Sequence, residues 1–320
     1  MTELIGRLAR DHRLSITEYE RLIRERTPQN ARELTRLADR TRREIYGTEV
    51  LIRGAVELSS ICKNDCLYCI QRRSNHSCSR YRLRPREIFD CFEEGYSLEH
   101  RSFLLRGGED GFYNDDLLEP LIYKLKSRFP GCAVTLALGE RSRESYERLF
   151  NAGADRYLMR HETADRKLYE AMHPAEMSFD RRMHCLNNLK DIGYQVGCGF
   201  IVGLPGQTTE QLAKDLKYIE EFQPHMVDIS PFIPQPGTPF ADEAPGDPEL
   251  TNYLLSIIRL IRPNVLLMAY NEAGILAGAN VMSQTLYPVD PSGEALAALR
   301  RRLSDIGFEA STARGDWREG

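Results

Sequence analysis

Three cysteines lie within one run of eight residues, Cys62-Lys63-Asn64-Asp65-Cys66-Leu67-Tyr68-Cys69, in a chain of 320. Three thiolates at this spacing can hold three corners of a cubane iron–sulfur cluster and leave the fourth iron open to a ligand. Two other readings compete. Positions i, i+4 and i+7 also form one stripe of a buried helix, and a zinc ion could take the three thiolates with His76 as a fourth ligand. Lys63, Asn64 and Asp65 are poor company for the start of a buried helix, and the run directly follows a strand-like segment. Structural zinc sites normally show four tightly spaced ligands, whereas three are in register here. A 4Fe-4S cluster is therefore the expected occupant. Cys78, Cys91, Cys132, Cys185 and Cys198 share no such spacing and read as ordinary small core or surface residues.

Composition narrows the setting. With 43 Lys and Arg against 47 Asp and Glu, the net charge of -4 makes no general field for a polyanion, so nucleic acid is not an expected partner. The one basic stretch, Arg72, Arg73, Arg80, Arg82 and Arg84, reads as a solvated loop. Cysteines clustered without a bridging pattern, and an opening that mixes Glu3, Arg7, Arg10 and Asp11, point to a reducing cytoplasm. The longest apolar runs fall far short of the ~20 residues that cross a bilayer, so a soluble protein with no membrane partner is expected.

The elements that must position the cysteines follow from periodicity. Residues up to about Tyr46 read as polar helices, with Ser15 or Thr17 as a cap and a second charged helix after Asn30. They form an N-terminal helical extension, residues 1–46, ahead of a main domain, residues 47–320. From Leu51 on, strand-length apolar runs alternate with helix-length amphipathic ones. The strands expected are Ala55 to Ser59, Ser102 to Arg106, Ala133 to Leu138, Arg156 to Met159, Val196 to Val202, Met226 to Ser230, Val265 to Ala269 and Ala279 to Ser283. Helices are expected from near Pro85, Asp116, Arg143, Phe179, Thr208, Pro248 and Gly293, with Gly153 and Gly193 at helix C-termini. Such alternation implies an α/β fold with a parallel sheet, and eight strands would close a (β/α)8 barrel of the TIM type. Tyr270 to Gly278 is too short for a normal covering helix with its loops, so the barrel is expected to be open or thinned between strands 7 and 8.

Parallel barrels build their sites at the C-terminal ends of the strands. The notable residues do follow strands: Cys62 the first, Gly107-Gly108-Glu109 the second, Gly139-Glu140 the third, Arg160-His161-Glu162-Thr163 the fourth and Gly203-Leu204-Pro205-Gly206-Gln207 the fifth. Arg182, at the start of the next helix, could grip a carboxylate in a bidentate contact or be an exposed helix arginine. His161 could be a ligand, an acid or base, or a hydrogen-bonded structural residue.

With an aromatic residue, Tyr68, just before its last cysteine, the CxxxCxxC loop resembles that of the radical S-adenosylmethionine superfamily. Gly107-Gly108-Glu109 resembles that superfamily's GGE element, and Gly199 to Gln207 its adenine-packing strand end. Over residues 46–245 the chain is similar to the HydE maturases of FeFe-hydrogenases, with biotin synthase and methylornithine synthase as relatives. The residues that carry this are the cysteine loop, Arg80-Tyr81-Arg82, Gly108-Glu109-Asp110, Leu138-Gly139-Glu140, Ala154-Asp155-Arg156-Tyr157, Arg160 to Thr163, Gly203 to Thr208 and Pro231 to Thr238.

The resemblance implies a barrel enzyme whose 4Fe-4S cluster chelates S-adenosylmethionine and cleaves it to a 5'-deoxyadenosyl radical. Tyr68, Gly107, Gly108, Glu109, Glu162, Arg182, Gly203 and Leu204 then fall at the cofactor, and Arg160 and Met226 in the substrate cavity. It further implies a small iron- and cysteine-containing synthon as substrate, an electron donor such as ferredoxin or flavodoxin, and other hydrogenase maturases as partners. A different small substrate, such as an amino acid, and a non-catalytic iron–sulfur scaffold are the alternatives. Two features depart from the pattern. Relatives carry a threonine pair at the end of the seventh strand, where this chain has Leu266-Leu267-Met268-Ala269-Tyr270, and Gly293 to Trp317 lacks the distal cysteines of an accessory cluster.

Overall fold

The computed structural model describes residues 1–287 and 293–318, so the last residues of the expected main domain, 319–320, lie outside the described residues. Three helices come first: α1 (Thr2–Asp11), α2 (Ile16–Arg24) and α3 (Pro28–Tyr46). Ser15 and Glu18 form a capping box on α2, and Thr27, not Asn30, caps α3 ahead of Pro28. The apolar stripe Leu34–Ala38 of α3 is buried toward the barrel.

Eight parallel strands follow in the expected order. They are β1 (Glu49–Ser59), β2 (Ser102–Gly107), β3 (Ala133–Ala137), β4 (Arg156–Leu158), β5 (Gln195–Cys198), β7 (Met226–Val227), β9 (Leu266–Leu267) and β10 (Val281–Thr285), each paired with the next from β1 to β9, and β10 with β1. Strand β6 (Ile201–Val202) and strand β8 (Ser230–Pro231) form a separate parallel pair beyond β5 and β7. The expected continuous strand from Val196 to Val202 is therefore broken at Gly199 and Phe200. A Cβ on Gly199 would fall 1.7 Å from the Asp228 carbonyl oxygen, so the two strands cross too closely there for a regular ladder. One more strand, β11 (Glu309–Ser311), pairs parallel to the start of β1 and was not expected from periodicity. Three residues are too few to show a period.

The covering helices are α4 (Pro85–Ser97), α5 (Asp115–Arg128), α6 (Arg143–Asn151), α7 (Arg166–Met172), α8 (Phe179–Ile192), α9 (Thr209–Phe222), α10 (Pro248–Ile261), α11 (Glu272–Leu276) and α12 (Glu294–Asp305). Gly193 closes α8 and Gly153 follows α6, both at positive φ, as their placement in the sequence predicts. Helix α7 was missed, since its seven residues make fewer than two turns, too few to show a repeating apolar stripe.

The expected thinning between strands 7 and 8 is present both in the helical layer and in the sheet, where β9 and β10 form no ladder. Met268 bridges Val281, with Ala269 N–H donating to Val281 O at 2.8 Å, so the ring is all but closed. Outside it, α11 has only five residues, and α3 lies over this seam: Ala38 Cβ is 3.0 Å from where a side chain on Gly278 would begin. Arg259, fully buried on α10, ties the seam from within by donating to Gly278 O, Pro263 O, Val265 O and Asn280 Oδ1 at 2.7–2.9 Å. No helix among the described residues is long and apolar enough to cross a membrane.

Candidate active site

The loop after β1 carries the cysteines and is anchored at both ends. Lys63 N–H donates to Glu109 O at 3.0 Å, and Leu67 N–H donates to Met172 O at 2.9 Å. Gly108 makes the first contact possible: a Cβ there would stand 2.4 Å from Ile61 O and 2.7 Å from Cys62 Cβ, so only glycine lets the end of β2 lie against the cysteine loop. Gly139, at φ 74°, does the same for Glu109, whose Cγ would be 2.2 Å from an added Cβ. Glu109 is then held on both oxygens, by Glu140 N–H at 3.0 Å and by the Lys63 ammonium at 3.0 Å.

Cys62, Cys66 and Cys69 are reduced and half-buried together. Burial, then the nearness of Cys62 and Glu162, pushes the Cys69 thiol up to about 11. Cys66 is raised further, by burial and by Cys69 and Cys62. Three partly desolvated thiols, which Lys63 and Arg182 only partly offset, form a donor set that a positively charged metal centre would satisfy. Among the described residues no three His, Cys, Asp or Glu side chains converge on a single-ion position, and His76 is exposed, so the zinc alternative finds no such set.

The segment from α7 to α8 presses on this loop. Tyr68 Oη meets His173 Nε2 at 3.0 Å, and His173 Nδ1 lies 2.8 Å from Tyr169 O. The carbonyl can only accept, so Nδ1 carries the proton and Nε2 accepts from the tyrosine. Burial and the nearby Arg182 hold His173 neutral, with its pKa lowered to about 4. Met177 Sδ lies 3.5 Å from Cys66 Sγ. Leu168, Met172, Ile201, Leu204 and Phe232 form a buried apolar wall against which Tyr68 packs. Gly203 supports that wall through its backbone, donating to Gln207 Oε1 at 2.6 Å.

Inside the mouth, a cavity of about 340 Å³ is lined by Arg106, Gly107, Arg160, Glu162, Arg182, Asp228 and Tyr270 among others. Arg182 is buried: its Nε donates to Glu140 Oε1 at 2.8 Å and its Nη1 to Arg160 O. It is thus a pinned wall residue and not an exposed helix arginine, with no hydrogen bond from Nη2 among the described residues. Arg160 Nη1 donates to Ser230 Oγ at 3.0 Å, and its Nε stands 3.2 Å from Glu162 Oε2. Arg160 Nε and Nη2 and Glu162 Oε2 still lack a hydrogen bond although they are buried. Burial works against the arginine's charge, but Glu162 and Asp228 more than offset it and raise its pKa. The two charges pair with each other, but buried hydrogen-bonding atoms left open at one cavity are costly unless a ligand completes them.

Glu162 itself sits at φ 66°, unusual for a residue with a side chain. Its N–H donates to Gly199 O and its carbonyl accepts from Ile201 N–H, which holds the conformation. Directly behind it His161 and Asp215 are both fully buried. Gly199 N–H donates to His161 Nδ1 at 3.3 Å, and Nε2 faces Asp215 Oδ1 at 3.5 Å. Of the readings open for His161, this packing away from the cavity supports the structural one.

Met226 lines a small adjoining cavity that shares Leu158 and Asp228 with the larger one. Together with Met268 it faces Arg53, which is buried and reaches the two thioether sulfurs at 3.9 and 2.9 Å. Spacing gave no hint of His173, Asp215, Asp228, Arg53 or Glu140's double role. His173 lies between two helices, and Asp228 is one residue past a two-residue strand. Tyr270 hydroxyl donates to Asp228 Oδ1 at 2.6 Å, so the altered seventh strand does reach the cavity wall.

Comparison with known proteins agrees with this geometry. Residues 56–219 match the Radical SAM superfamily. The [FeFe] hydrogenase maturase subunit HydE of Thermotoga maritima is 40% identical over 265 residues, which cover 80% of this chain and 75% of that protein. The 3-methylornithine synthase of Methanosarcina acetivorans is 26% identical over 302 residues, 91% of this chain and 85% of the relative. Among solved structures, methylornithine synthase superposes with a TM-score of 0.85 at 23% identity, covering 96% of this chain and 97% of the other. The FeFe-hydrogenase maturase HydG from Carboxydothermus hydrogenoformans superposes at 0.82 with 22% identity, covering 97% and 79%. These two structural likenesses bear on the fold. With the cysteine loop, the glycine-seated Glu109 and the HydE-like sequence on one barrel mouth, this chain belongs to the radical SAM superfamily of enzymes.

Proposed function

We propose that Cys62, Cys66 and Cys69 hold a 4Fe-4S cluster, and that the enzyme binds S-adenosylmethionine beside it and acts on a small synthon in FeFe-hydrogenase maturation, in a reducing cytoplasm. The observation that carries the reading is the seating of Gly108 against Cys62, which brings Glu109 to the same mouth as the three thiols. When bound, the cluster supplies one electron to cleave the sulfonium and yield a 5'-deoxyadenosyl radical. The residues do the rest. Glu109 presents a carboxylate suited to the cofactor's ammonium, and Arg182, through its Nη2, a cation suited to the cofactor's carboxylate. The wall of Tyr68, Ile201 and Leu204 offers an apolar face for adenine and keeps water from the cluster side. Arg160, whose Nη2 has no hydrogen-bond partner among the described residues, suits a substrate carboxylate.

Anaerobic reconstitution with iron and sulfide, followed by dithionite and S-adenosylmethionine, should give 5'-deoxyadenosine or an adenosylated product. Cys66→Ala should lose both cluster absorbance and turnover, whereas Cys78→Ala should keep them. A fully loaded cluster that yields neither product overturns the reading and leaves an iron–sulfur scaffold. One observation favours a second substrate, such as an amino acid. Tyr270 bonded to Asp228 occupies the wall where HydE relatives carry threonines. Mass spectrometry of products with hydrogenase-type synthons and with amino acids in parallel separates the two.

A further inference from the structure

Reductive cleavage draws electrons one at a time from outside the protein, and the donor must come close to the cysteine loop because tunnelling falls steeply with distance. Residues 61–84 carry six Lys or Arg and one Asp, in a chain where acids outnumber bases. Their pairing is uneven. Lys63 meets Glu109, Arg72 meets Asp65 and Arg82 meets Asp110, each at 2.7–3.0 Å. Arg73 and Arg80 have no carboxylate within 4.0 Å among the described residues, although Arg73 adds to the field at Asp65. Arg80 donates only to main-chain carbonyls, of Ser60, Gln71, Arg72 and Asn75, so it is fixed in place with its charge uncompensated. Arg73 is exposed and rides on the cysteine loop, its N–H donating to Asn64 O at 2.9 Å.

Beside these charges lie two solvent-facing apolar side chains, Ile70 at 40% and Ile233 at 60% exposure. Asn75 joins the segments that carry them, its Nδ2 donating to Ile70 O and to Pro236 O, both at 2.9 Å. Ile70 directly follows Cys69 in the chain. Apolar centres with a basic rim fit a protein surface of opposite charge better than a bare polyanion, which would leave the isoleucines in water.

We propose that this outer lip of the cysteine loop, Arg73 and Arg80 around Ile70 and Ile233, is the docking surface for a small acidic one-electron carrier protein. The inference rests on the radical SAM reading above. One electron passes from the reduced carrier to the cysteine-bound cluster, the carrier is oxidised by one electron, and no bond is made or broken.

The test uses the cluster-loaded full chain with reduced flavodoxin as the probe. Arg73→Glu and Ile233→Glu should each raise the KM for flavodoxin by about three- to tenfold, added salt should raise it for the unaltered protein, and the dithionite-driven rate should not change. A KM that neither variant nor salt moves overturns the docking surface, as does a variant that slows the dithionite reaction equally. Quenching of flavin fluorescence on titration with the enzyme reads the same surface without turnover. A loaded cluster that never cleaves S-adenosylmethionine thus overturns the enzymatic reading, while the binding curves of the variants still decide this one. Tighter binding of a single-stranded DNA oligomer than of flavodoxin, lost in Arg73→Glu, also overturns it.

Discussion

Glu140 carries two arginines, its Oε1 accepting from Arg182 Nε at 2.8 Å and its Oε2 standing 3.1 Å from Arg181 Nε. Arg181 is exposed, but Arg182 is not, so removal of the carboxylate strands a buried charge. Glu140→Ala should cost about 3–5 kcal/mol in urea unfolding, and Glu140→Gln less, because an amide oxygen still accepts. Tyr68 and His173 form a neutral pair of the same kind. Tyr68→Phe leaves the Nε2 acceptor bare, and His173→Phe leaves the hydroxyl bare. Each should cost about 1–3 kcal/mol, while the double variant should cost less than the sum, a coupling that a double-mutant cycle measures. The same variants should raise the KM for S-adenosylmethionine, because Tyr68 then loses its fixed position on the apolar wall.

Among the elements, the weak one is the seam between β9 and β10, where one bridge closes the ring and α11 covers only part of it. Arg259 and helix α3 compensate. Arg259 donates to four buried acceptors at the seam, and its pKa falls to about 9 because burial in the absence of a carboxylate disfavours its charge. Arg259→Met would leave those acceptors unsatisfied. A loss of about 3–5 kcal/mol is expected, with limited proteolysis appearing first between Asn264 and Asn280. The expectation of a thinned wall was sound for the helix that the short link cannot contain. It holds for the sheet as well, because β9 and β10 form no ladder and meet only at the single bridge between Met268 and Val281.

For the whole molecule, stability should depend on pH through histidines buried in neutral form. Burial lowers the pKa of His173 to about 4, as burial with Arg262 and Lys190 does for His225. The unfolded chain takes up these protons near pH ~6.5, and the folded one resists until about 4. Their contribution is therefore fully present above ~6.5 and is lost as pH falls toward 4, by about 2 kcal/mol for His173 at pH ~5 and by less for the partly solvated His225. Urea titrations at neutral pH and near pH 5 should show this fall. His225→Asn, which keeps an acceptor for the Val196 N–H, should flatten it by that histidine's smaller share.

Much of the architecture and half of the site could be read without coordinates, because both depend on local spacing. Cys62, Cys66 and Cys69 follow one strand, Glu109 another and Glu162 a third, and a parallel barrel delivers successive strand ends to one mouth whatever its details. The tertiary structure alone decided which of these residues are pinned and which are free. Arg182 meets a carboxylate 42 positions away, Tyr68 an imidazole 105 positions away and Arg53 a sulfur 215 positions away. No period in the sequence encodes such distances. They follow from ring closure and from the path each loop takes over its neighbour, which is also why the residues at the strand ends were legible early and the cavity wall of Asp228 and Tyr270 was not.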